Sequence, residues 1–280
     1  MQVAQKIPVG HVEAGLRTYN KWAPYPEECN RRMLSAVADY HFTPTSTATQ
    51  ALRKEGISEG IFQVGNTVID SLLGIHNSIQ QNLNQYNAQY AFLPSHPKSI
   101  ILVTGHRRES FGEGFQAICQ ALLKIAKQHP EKYLLYPVHL NPNVRATVNA
   151  LLAGYDNIKL IDPVPYDEMV YLMSRAWLIM TDSGGIQEEA PSLNKPVIVM
   201  RETTERPEGI ASGCSVLGGI SAESIYQNFC RINDSEIIYR QMAAALTPYG
   251  NGKSSLKIAS ILKNSLVTDK VKKNPPNNQQ

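Results

Sequence analysis

The residues from Ser183 to Glu189 carry the chemistry of a nucleoside diphosphate site. They follow a predicted buried strand at Leu178–Thr181 and open a predicted helix. Ser183 is a favourable helix N-cap, and Gly184 and Gly185 lack Cβ atoms, so a pyrophosphate could approach the amides at the positive end of the helix. Glu189 lies about 9 Å of helix rise beyond Ser183, where its carboxylate suits ribose hydroxyls. The alternative is an ordinary capped helix whose acidic pair is exposed.

Glu13 and the acidic pair Glu27 and Glu28 form a second candidate group. Glu13 follows a predicted strand at Pro8–Val12, and Glu27 opens a helical segment fourteen residues later. Two such carboxylates, brought to opposite faces of one substrate carbon, can take a proton and return one. Spacing alone favours the alternative, in which Glu27 and Glu28 stabilise a helix dipole and Glu13 is a surface partner of Arg17.

The run from His106 to Glu109 follows a predicted strand and contains a histidine and two arginines. Such a group at a strand end makes an anion site with one titratable member, so we expect His106 to contact a phosphate. The alternative is a solvated charge run. The later run from Arg201 to Glu208 also follows a strand, and it is as typical of a salt-bridged loop as of a site.

From Lys98 onward, predicted strands alternate with amphipathic helical segments, which is typical of a doubly wound parallel α/β sheet. The predicted strands are Ser99–Thr104, Tyr133–Val138, Ile158–Ile161, Leu178–Thr181, Pro196–Met200 and Ser215–Leu217. The predicted helices are Phe115–Lys127, Val144–Ala153, Tyr166–Arg175 and Ala222–Ile232. Ligands of such sheets bind at the carboxyl ends of strands, and the segments that begin at His106, His139 and Asp182 follow predicted strands.

Before Lys98 the sequence offers three strand candidates, too few for a closed domain: Pro8–Val12, Tyr40–Phe42 and Ile61–Val64. We therefore predict five segments. They are the C-terminal part of a first Rossmann-like domain at 1–80, a linker at 81–97, a second Rossmann-like domain at 98–246, a C-terminal helix at 247–266 and a disordered tail at 267–280.

Composition excludes several classes of protein. The chain has 280 residues, of which 42% are hydrophobic, as is normal for a globular protein with a core. The net charge is +3, but six lysines and one aspartate lie after residue 250. Residues 1–250 carry 21 basic and 23 acidic side chains, so the charge of the chain gives no evidence of nucleic-acid binding. No apolar stretch suits a membrane span or a signal peptide, and the four cysteines are widely spaced, so a cytoplasmic protein with reduced thiols is expected.

Motifs of other enzyme classes are missing from the sequence. It contains no H-E-x-x-H, no P-loop and no G-x-S-x-G motif. Residues 112–117 match G-x-G-x-x-A, but this match begins seven residues after Gly105, where the strand ends. A dinucleotide fingerprint follows its strand directly, so no NAD site is expected.

Together these motifs resemble the non-hydrolysing UDP-N-acetylglucosamine 2-epimerases of bacteria, from about Ile7 to about Asn264. The resemblance is carried by Gly10–Thr18, Pro26–Glu28, Val64–Asp70, Thr104–Glu109, Tyr136–Pro142, Thr181–Pro191, Arg201–Glu208 and Pro248–Gly250. It implies an α/β fold of two Rossmann-like domains facing a cleft, as in GT-B glycosyltransferases, with UDP held mainly by the second domain. The first domain would be incomplete in this chain.

The resemblance also implies a mechanism in which UDP is eliminated to give 2-acetamidoglucal and adds back after reprotonation on the other face. Glu13 and Glu27 would be the catalytic carboxylates of proton transfer, and His106 would assist departure of the UDP phosphate. Residues 183–185 would bind phosphate and Glu189 the ribose hydroxyls. No cofactor and no metal would be needed.

The implied partners are UDP-GlcNAc and UDP-ManNAc, and a homodimer is the expected assembly. Bacterial members also bind a second UDP-GlcNAc as an activator, and Glu27, Arg107 and His139 match positions that line that region. No nucleic-acid or membrane partner is expected.

The sequence departs from the family in one respect. Family members carry roughly half a domain before the segment that begins here at Ile7, including a glycine-arginine loop and a further catalytic aspartate. We therefore expect an N-terminally truncated chain whose second domain folds and binds UDP. Residues 1 to about 80 would be loosely ordered or aggregation-prone, and the chain alone would not be a competent epimerase.

Other functions use the same UDP site. One alternative is a GT-B glycosyltransferase, which would need an acceptor pocket, and another is a catalytically inactive UDP-binding fragment. A hydrolysing relative that releases free ManNAc is a nearer variant. The joint presence of Glu13 and Glu27 favours epimerisation.

Overall fold

A computed structural model describes residues 7–22, 25–96, 98–105 and 113–273, and for 113 and 266–273 it describes the backbone alone. The chain divides into two compact units. Unit 1 is Met1–Ser71 with Tyr249–Gln280, and unit 2 is Leu72–Pro248. The divisions therefore fall at positions 71 and 248, whereas the sequence predicted a first domain ending at 80 and a second ending at 246.

Strands and helices alternate through most of the described chain. The strands are β1 Gly10–Val12, β2 Tyr40–Thr43, β3 Ile61–Gln63, β4 Ile100–Thr104, β5 Tyr133–Pro137, β6 Ile158–Ile161, β7 Leu178–Thr181, β8 Val197–Val199 and β9 Ser215–Leu217. The helices are α1 Glu27–Val37, α2 Ser46–Lys54, α3 Thr67–Gln81, α4 Leu83–Gln89, α5 Glu113–Gln128, α6 Pro142–Leu152, α7 Tyr166–Arg175, α8 Gly184–Ser192, α9 Pro207–Ala211, α10 Ala222–Asn233, α11 Glu236–Ala244 and α12 Ser254–Lys273.

Unit 1 contains a parallel three-stranded sheet in the order β1-β2-β3. Phe42 on the central strand is buried, and its ring centre lies 6.0 Å from that of Phe62 on β3. Helix α2 adds the buried side chains of Ala48 and Leu52 to this core, and Thr45 caps the helix by accepting a hydrogen bond from the Ala48 amide. The core of unit 1 therefore fixes the strand ends from which its loops leave.

Unit 2 contains a parallel six-stranded sheet in the order β6-β5-β4-β7-β8-β9. Numbered from its own first strand, this is the order 3-2-1-4-5-6 of doubly wound dinucleotide-binding folds. All residues of β4 and β7 are buried, as expected for central parallel strands covered on both faces. The strand order reverses between β4 and β7, and ligands of such sheets bind outside the carboxyl ends at that point. The predicted parallel α/β fold class is thus confirmed.

The segment predicted to be a linker differs from that prediction. Residues 83–89 form α4, which packs on α7 through a hydrogen bond from the Tyr86 hydroxyl to Asp167 Oδ2. The Tyr86 and Tyr171 ring centres are 5.3 Å apart, and the Tyr90 hydroxyl donates to Glu168. The segment is therefore part of the packed surface of unit 2.

The end of the chain also differs from prediction. Helix α12 covers 254–273 instead of 247–266, so it includes residues expected in the disordered tail. The remainder of that tail, 274–280, lies outside the described residues. Within the described chain, every helix is too short or too polar to cross a bilayer.

Candidate functional site

The turn after β7 is tied to the neighbouring strand β4 at the reversal point of the sheet. The hydroxyl oxygens of Thr104 and Thr181, at the ends of the two strands, are 2.6 Å apart and share a hydrogen bond. Thr181 Oγ1 also accepts a hydrogen bond of 2.9 Å from the Ser183 amide. Both threonines are buried. The start of the following turn is therefore fixed to two central strands.

Ser183 occupies the N-cap position of α8, as predicted, but it does not cap the helix. Its backbone is extended, and its side chain accepts no hydrogen bond from the first-turn amides of α8. Because the hydroxyl is not used in that bond, it can serve a ligand at the helix start. The prediction of a capping bond was wrong, whereas the predicted position of Ser183 is correct.

Gly184 allows two charged side chains to approach the start of α8 closely. A Cβ atom at Gly184 would lie 3.1 Å from Glu205 Oε1 and 3.2 Å from Arg206 Nη1. These distances are tighter than ordinary van der Waals contact. The helix dipole and the Arg206 guanidinium favour an anion here, and the Glu205 carboxylate at the same place offsets part of that positive charge.

The run from Arg201 to Glu208 is a salt-bridged loop that packs on α8. Arg206 Nε donates to Glu188 Oε1 at 2.7 Å, and Arg206 Nη1 lies 3.0 Å from Glu205 Oε1. Arg201 Nη1 donates to Glu205 Oε2 at 2.6 Å. These four side chains are largely buried. Glu188 therefore has a structural partner, and the alternative of an exposed acidic pair on α8 is wrong.

Glu189 is 5% exposed and lies next to the first turn of α8. Its Oε1 accepts a hydrogen bond from the Tyr166 hydroxyl at the start of α7. Its Oε2 lies 3.9 Å from the point where a Cβ of Gly185 would be, because helical side chains lean toward the N-terminus. The carboxylate is thus nearer the helix start than a rise of about 9 Å suggests.

The charge state of Glu189 is shifted by its surroundings. Burial is the largest cause and raises the pKa of the carboxyl above its usual value. The hydrogen bond from Tyr166 acts in the opposite direction, and the neighbouring Glu188 raises the pKa further. Ionised Glu189 is therefore an acceptor whose negative charge is poorly hydrated, which favours a hydroxyl donor from a ligand.

The loop after β4 starts at Gly105, whose carbonyl accepts a 2.7 Å hydrogen bond from the buried Tyr136 hydroxyl. Burial raises the pKa of Tyr136 well above its usual value, so the hydroxyl stays protonated and donates. His106 and Arg107 lie outside the described residues. His139 follows the adjacent strand β5, is exposed, and accepts a 3.1 Å hydrogen bond at Nδ1 from the Asn141 amide.

In unit 1, Glu13 leaves the end of β1 with an unusual backbone. Its φ is 60°, in the left-handed region that non-glycine residues rarely adopt. The carboxylate is exposed, and Oε1 accepts a 2.7 Å hydrogen bond from Asn66 Nδ2. Arg17 instead forms two 2.8 Å bonds with Glu55. The alternative in which Glu13 pairs with Arg17 is therefore wrong.

The two acids that open α1 have different surroundings. Glu28 is fully buried and accepts hydrogen bonds from the Thr18 and Tyr19 amides at 3.0 and 3.1 Å. Glu27 is exposed, and its carboxylate makes no hydrogen bond or ion pair with the described residues. Both acids lie in the first turn, as the helix-dipole interpretation expects. Glu28 anchors the loop that follows Glu13, whereas Glu27 is available to a ligand.

Two histidines beside Glu13 are missed by the motif analysis. His11 on β1 lies opposite His41 on β2, and neither Nδ1 atom has a hydrogen-bond partner among the described residues. Burial is the first cause that lowers the pKa of His11, followed by the charges of His41 and Arg17, while Glu13 raises it. Aligning the two predicted strands in parallel could have brought these side chains together.

One groove in the described part of unit 2 lies away from these residues. It is a groove of about 410 Å³ at β9, α10 and α11, lined by Val216, Arg231 and Met242 among others, and by none of the candidate residues. The described residues include no group of three or more His, Cys, Asp or Glu side chains that could hold a metal ion. The candidate site therefore rests on the side chains at the strand ends.

Comparison with known proteins gives consistent results. Residues 2–263 match the family model described as UDP-N-acetylglucosamine 2-epimerase. The chain is 53% identical to the UDP-N-acetylglucosamine 2-epimerase of Yersinia pestis and 49% identical to that of Escherichia coli strain K12, in each case over 94% of this chain and 71% of the relative. A crystal structure of the Neisseria meningitidis UDP-GlcNAc 2-epimerase bound to UDP-GlcNAc superposes with a TM-score of 0.89 at 43% identity, over 94% of this chain and 71% of that one. This neighbour shares the predicted GT-B-like fold class.

Proposed function

This chain belongs to the UDP-N-acetylglucosamine 2-epimerase family, and we propose that it is an isomerase that interconverts UDP-GlcNAc and UDP-ManNAc. In this proposal unit 2 holds the UDP group and unit 1 supplies the carboxylates that transfer protons. The observation that carries it is the Glu189 carboxylate, which is buried beside the glycine turn of α8 with one oxygen bonded to Tyr166.

The UDP group binds at the start of α8. Its pyrophosphate accepts hydrogen bonds from the amides of Gly184 and Gly185 and from the Ser183 hydroxyl, beside the Arg206 guanidinium that is paired with Glu188 and Glu205. The ribose hydroxyls donate to Glu189, whose second oxygen is turned toward the first turn of the helix. His106, which follows β4 in the sequence, is the histidine proposed to contact the phosphate.

The reaction inverts C2 of the sugar without an oxidation step. The C2 proton is only weakly acidic because no carbonyl is adjacent to it, so removal of the proton is coupled to cleavage of the C1–O bond. The C2–H electron pair becomes the C1=C2 double bond of 2-acetamidoglucal, and UDP leaves with the C1–O pair. Return of a proton to the opposite face of C2, with re-addition of UDP at C1, gives the epimer. No atom is gained or lost.

Glu13 and Glu27 are the proposed acid and base of this reaction. Both carboxylates are exposed, so they can reach a substrate and exchange protons with water. His106 assists UDP departure by stabilising the negative charge that develops on the phosphate. The neutral, partly buried His11 beside Glu13 adds no competing positive charge at that place.

Three further features complete the proposal. A second UDP-GlcNAc acts as an activator, for which Glu27, Arg107 and His139 are the candidate residues, and the protein forms a homodimer. The reaction takes place in the cytoplasm, which agrees with the four free thiols of Cys29, Cys119, Cys214 and Cys230.

Because the chain alone is not expected to be a competent epimerase, turnover is measured here and below on the chain joined to the N-terminal segment of a relative, of which this chain covers 71%. That protein is incubated with UDP-GlcNAc, and the sugar signals are followed by proton NMR. We expect UDP-ManNAc to accumulate to an equilibrium mixture that is also reached from UDP-ManNAc. Release of free ManNAc would identify a hydrolysing enzyme instead, and transfer of the sugar to an added acceptor would identify a glycosyltransferase. Calorimetric titration of the same protein with UDP shows whether a protein without turnover still binds the nucleotide.

A further inference from the structure

Asn66 holds the Glu13 carboxylate from a buried position. Asn66 is 2% exposed, and its Nδ2 donates to Glu13 Oε1 at 2.7 Å. Its Oδ1 accepts a 3.1 Å hydrogen bond from the Val68 amide, which closes the start of α3. Its own amide donates to the Tyr249 carbonyl at 2.7 Å. Three of its polar groups are thus fixed, so the amide presented to Glu13 has one orientation.

The backbone conformation of Glu13 restricts the orientation of its carboxylate. A left-handed φ of 60° is strained for a non-glycine residue, and such strain persists where surrounding contacts maintain it. Here the next residue, Ala14, donates its amide to the Phe42 carbonyl at 3.1 Å and is itself fully buried. Backbone and Asn66 together aim the side chain, while Oε2 of Glu13 accepts no hydrogen bond from the described residues.

A distant part of the chain supports Asn66. Gly65 has φ 94°, and a Cβ there would lie 2.7 Å from Ser254 Oγ and 3.2 Å from Gly250 Cα. The turn at 65–66 therefore packs directly against the segment that begins at Tyr249. Asp70 on α3 accepts hydrogen bonds from the Ser254 and Ser255 amides at 3.0 and 2.8 Å, which joins α3 to the start of α12.

We propose that Asn66 is a positioning residue for proton transfer at C2. Its charge-assisted hydrogen bond fixes Oε1 of Glu13 and leaves Oε2 directed to the proton that is removed or returned. This inference rests on the proposed function, because it assigns a partner to the carboxylate that reacts. It also accounts for the burial of a polar amide beneath an exposed acid.

The substitution Asn66→Asp separates positioning from local structure. Aspartate keeps the size of the side chain and an oxygen for the Val68 amide, but it removes the donor to Glu13 and places a carboxylate against it. We expect kcat to fall about 10- to 100-fold, since a displacement of about 1 Å can cost about 100-fold in rate. KM and UDP affinity should stay at the wild-type values. Asn82→Asp, which removes an exposed bond to the Ser78 carbonyl, is the matched control and should be fully active.

A double-mutant cycle with Glu13→Gln gives a readout that a merely structural role would not produce. If Asn66 acts through Glu13, Asn66→Asp adds no further loss of turnover once Glu13 is Gln. An equal loss in both backgrounds, or wild-type kcat in Asn66→Asp alone, overturns the positioning role. Full turnover of Glu13→Gln would instead refute the role of Glu13, and with it the proposed function, so the two failures are distinguishable.

Discussion

Two pairs of glutamates, one in each unit, have opposite surroundings. In unit 1 the carboxylates of Glu13 and Glu27 are exposed, and only one hydrogen bond, from Asn66, restrains them among the described residues. In unit 2 Glu188 and Glu189 are 2% and 5% exposed and are held by Arg206 and by Tyr166. Glutamate side chains therefore occupy two different environments in this protein, one exposed and one buried between fixed partners.

The difference follows from what each task requires. A group that takes and returns protons must reach both substrate and water, and an exposed carboxylate does so. A group that holds a ligand must already have its orientation before the ligand arrives, and burial between fixed partners provides that. In the proposed function, proton transfer therefore belongs to the exposed glutamates of unit 1 and UDP binding to Glu189 of unit 2, while Glu188 supports the local structure.

The largest expected effect is on turnover in unit 1. Glu13→Gln and Glu27→Gln should each lower kcat by about 10² to 10⁴, the usual contribution of a general acid or base, because a neutral amide cannot exchange the proton. UDP affinity measured by calorimetry should be unchanged. Glu59→Gln, at another exposed acid of unit 1, is the control and should turn over normally. A loss of UDP affinity equal to the loss of kcat would contradict the proposal that Glu13 and Glu27 transfer protons and do not bind UDP.

The next effect is on stability in unit 2. Glu188→Gln removes the charge paired with the buried Arg206 guanidinium, and breaking a buried pair costs about 3 to 5 kcal/mol. We expect the lower end of that range in the free energy of unfolding, because Glu205 still pairs with Arg206. Glu189→Gln should leave stability nearly unchanged, since it removes a buried charge and keeps an acceptor for Tyr166. Equal unfolding midpoints in urea for the two variants would contradict the distinction between Glu188 and Glu189.

Glu189→Gln should act on binding instead. A carboxylate that accepts from ribose hydroxyls forms charge-assisted hydrogen bonds worth roughly 1.5 to 3 kcal/mol, so the affinity for UDP should fall by about one to two decades. Calorimetric titration with UDP measures this loss, and titration with inorganic pyrophosphate provides the control, because a ligand without ribose should bind both proteins alike. An unchanged affinity for UDP would remove Glu189 from the site.

The smallest effect is a pH dependence that sharpens the same comparison. Burial raises the pKa of Glu189, so its carboxylate becomes protonated at a higher pH than an ordinary glutamate when the pH is lowered. The affinity for UDP should therefore begin to fall at that higher pH. For the free protein the sign is opposite: the folded form binds this proton more tightly, so Glu189 lowers stability as pH rises through the raised pKa. UDP titrates too, so wild type and Glu189→Gln are compared at each pH. If the UDP affinities of the two proteins changed with pH in the same way, a raised pKa of Glu189 would not explain the pH dependence.

Local patterns were sufficient to predict the sheet of unit 2. The apolar strand at 178–181 has the predicted bounds because a buried run that ends in a glycine turn leaves little choice. The helix 83–89 was missed because its sequence has no apolar period. Its contacts come from Tyr86 and Tyr90, which reach residues on α7 about eighty positions later.

The candidate residues can be listed from the sequence, but the hydrogen-bond partners of their side chains cannot. Glu13 bonds to a residue 53 positions away, and Glu188 bonds to one 18 positions away. Neither pairing has a local signal, since each depends on how strands and loops come together in the fold. The left-handed backbone at Glu13 is likewise unexpected for a residue other than glycine.

The most direct test of the account is the fate of the C2 hydrogen during epimerisation. The protein is incubated with UDP-GlcNAc in D₂O, and the sugar is analysed by proton NMR and mass spectrometry. Elimination and re-addition predict one deuterium at C2 of the UDP-ManNAc formed, because the abstracted proton exchanges with solvent before it returns. UDP-ManNAc that keeps its original C2 hydrogen would contradict the account, since the proton would not have passed through an exchangeable carboxylate.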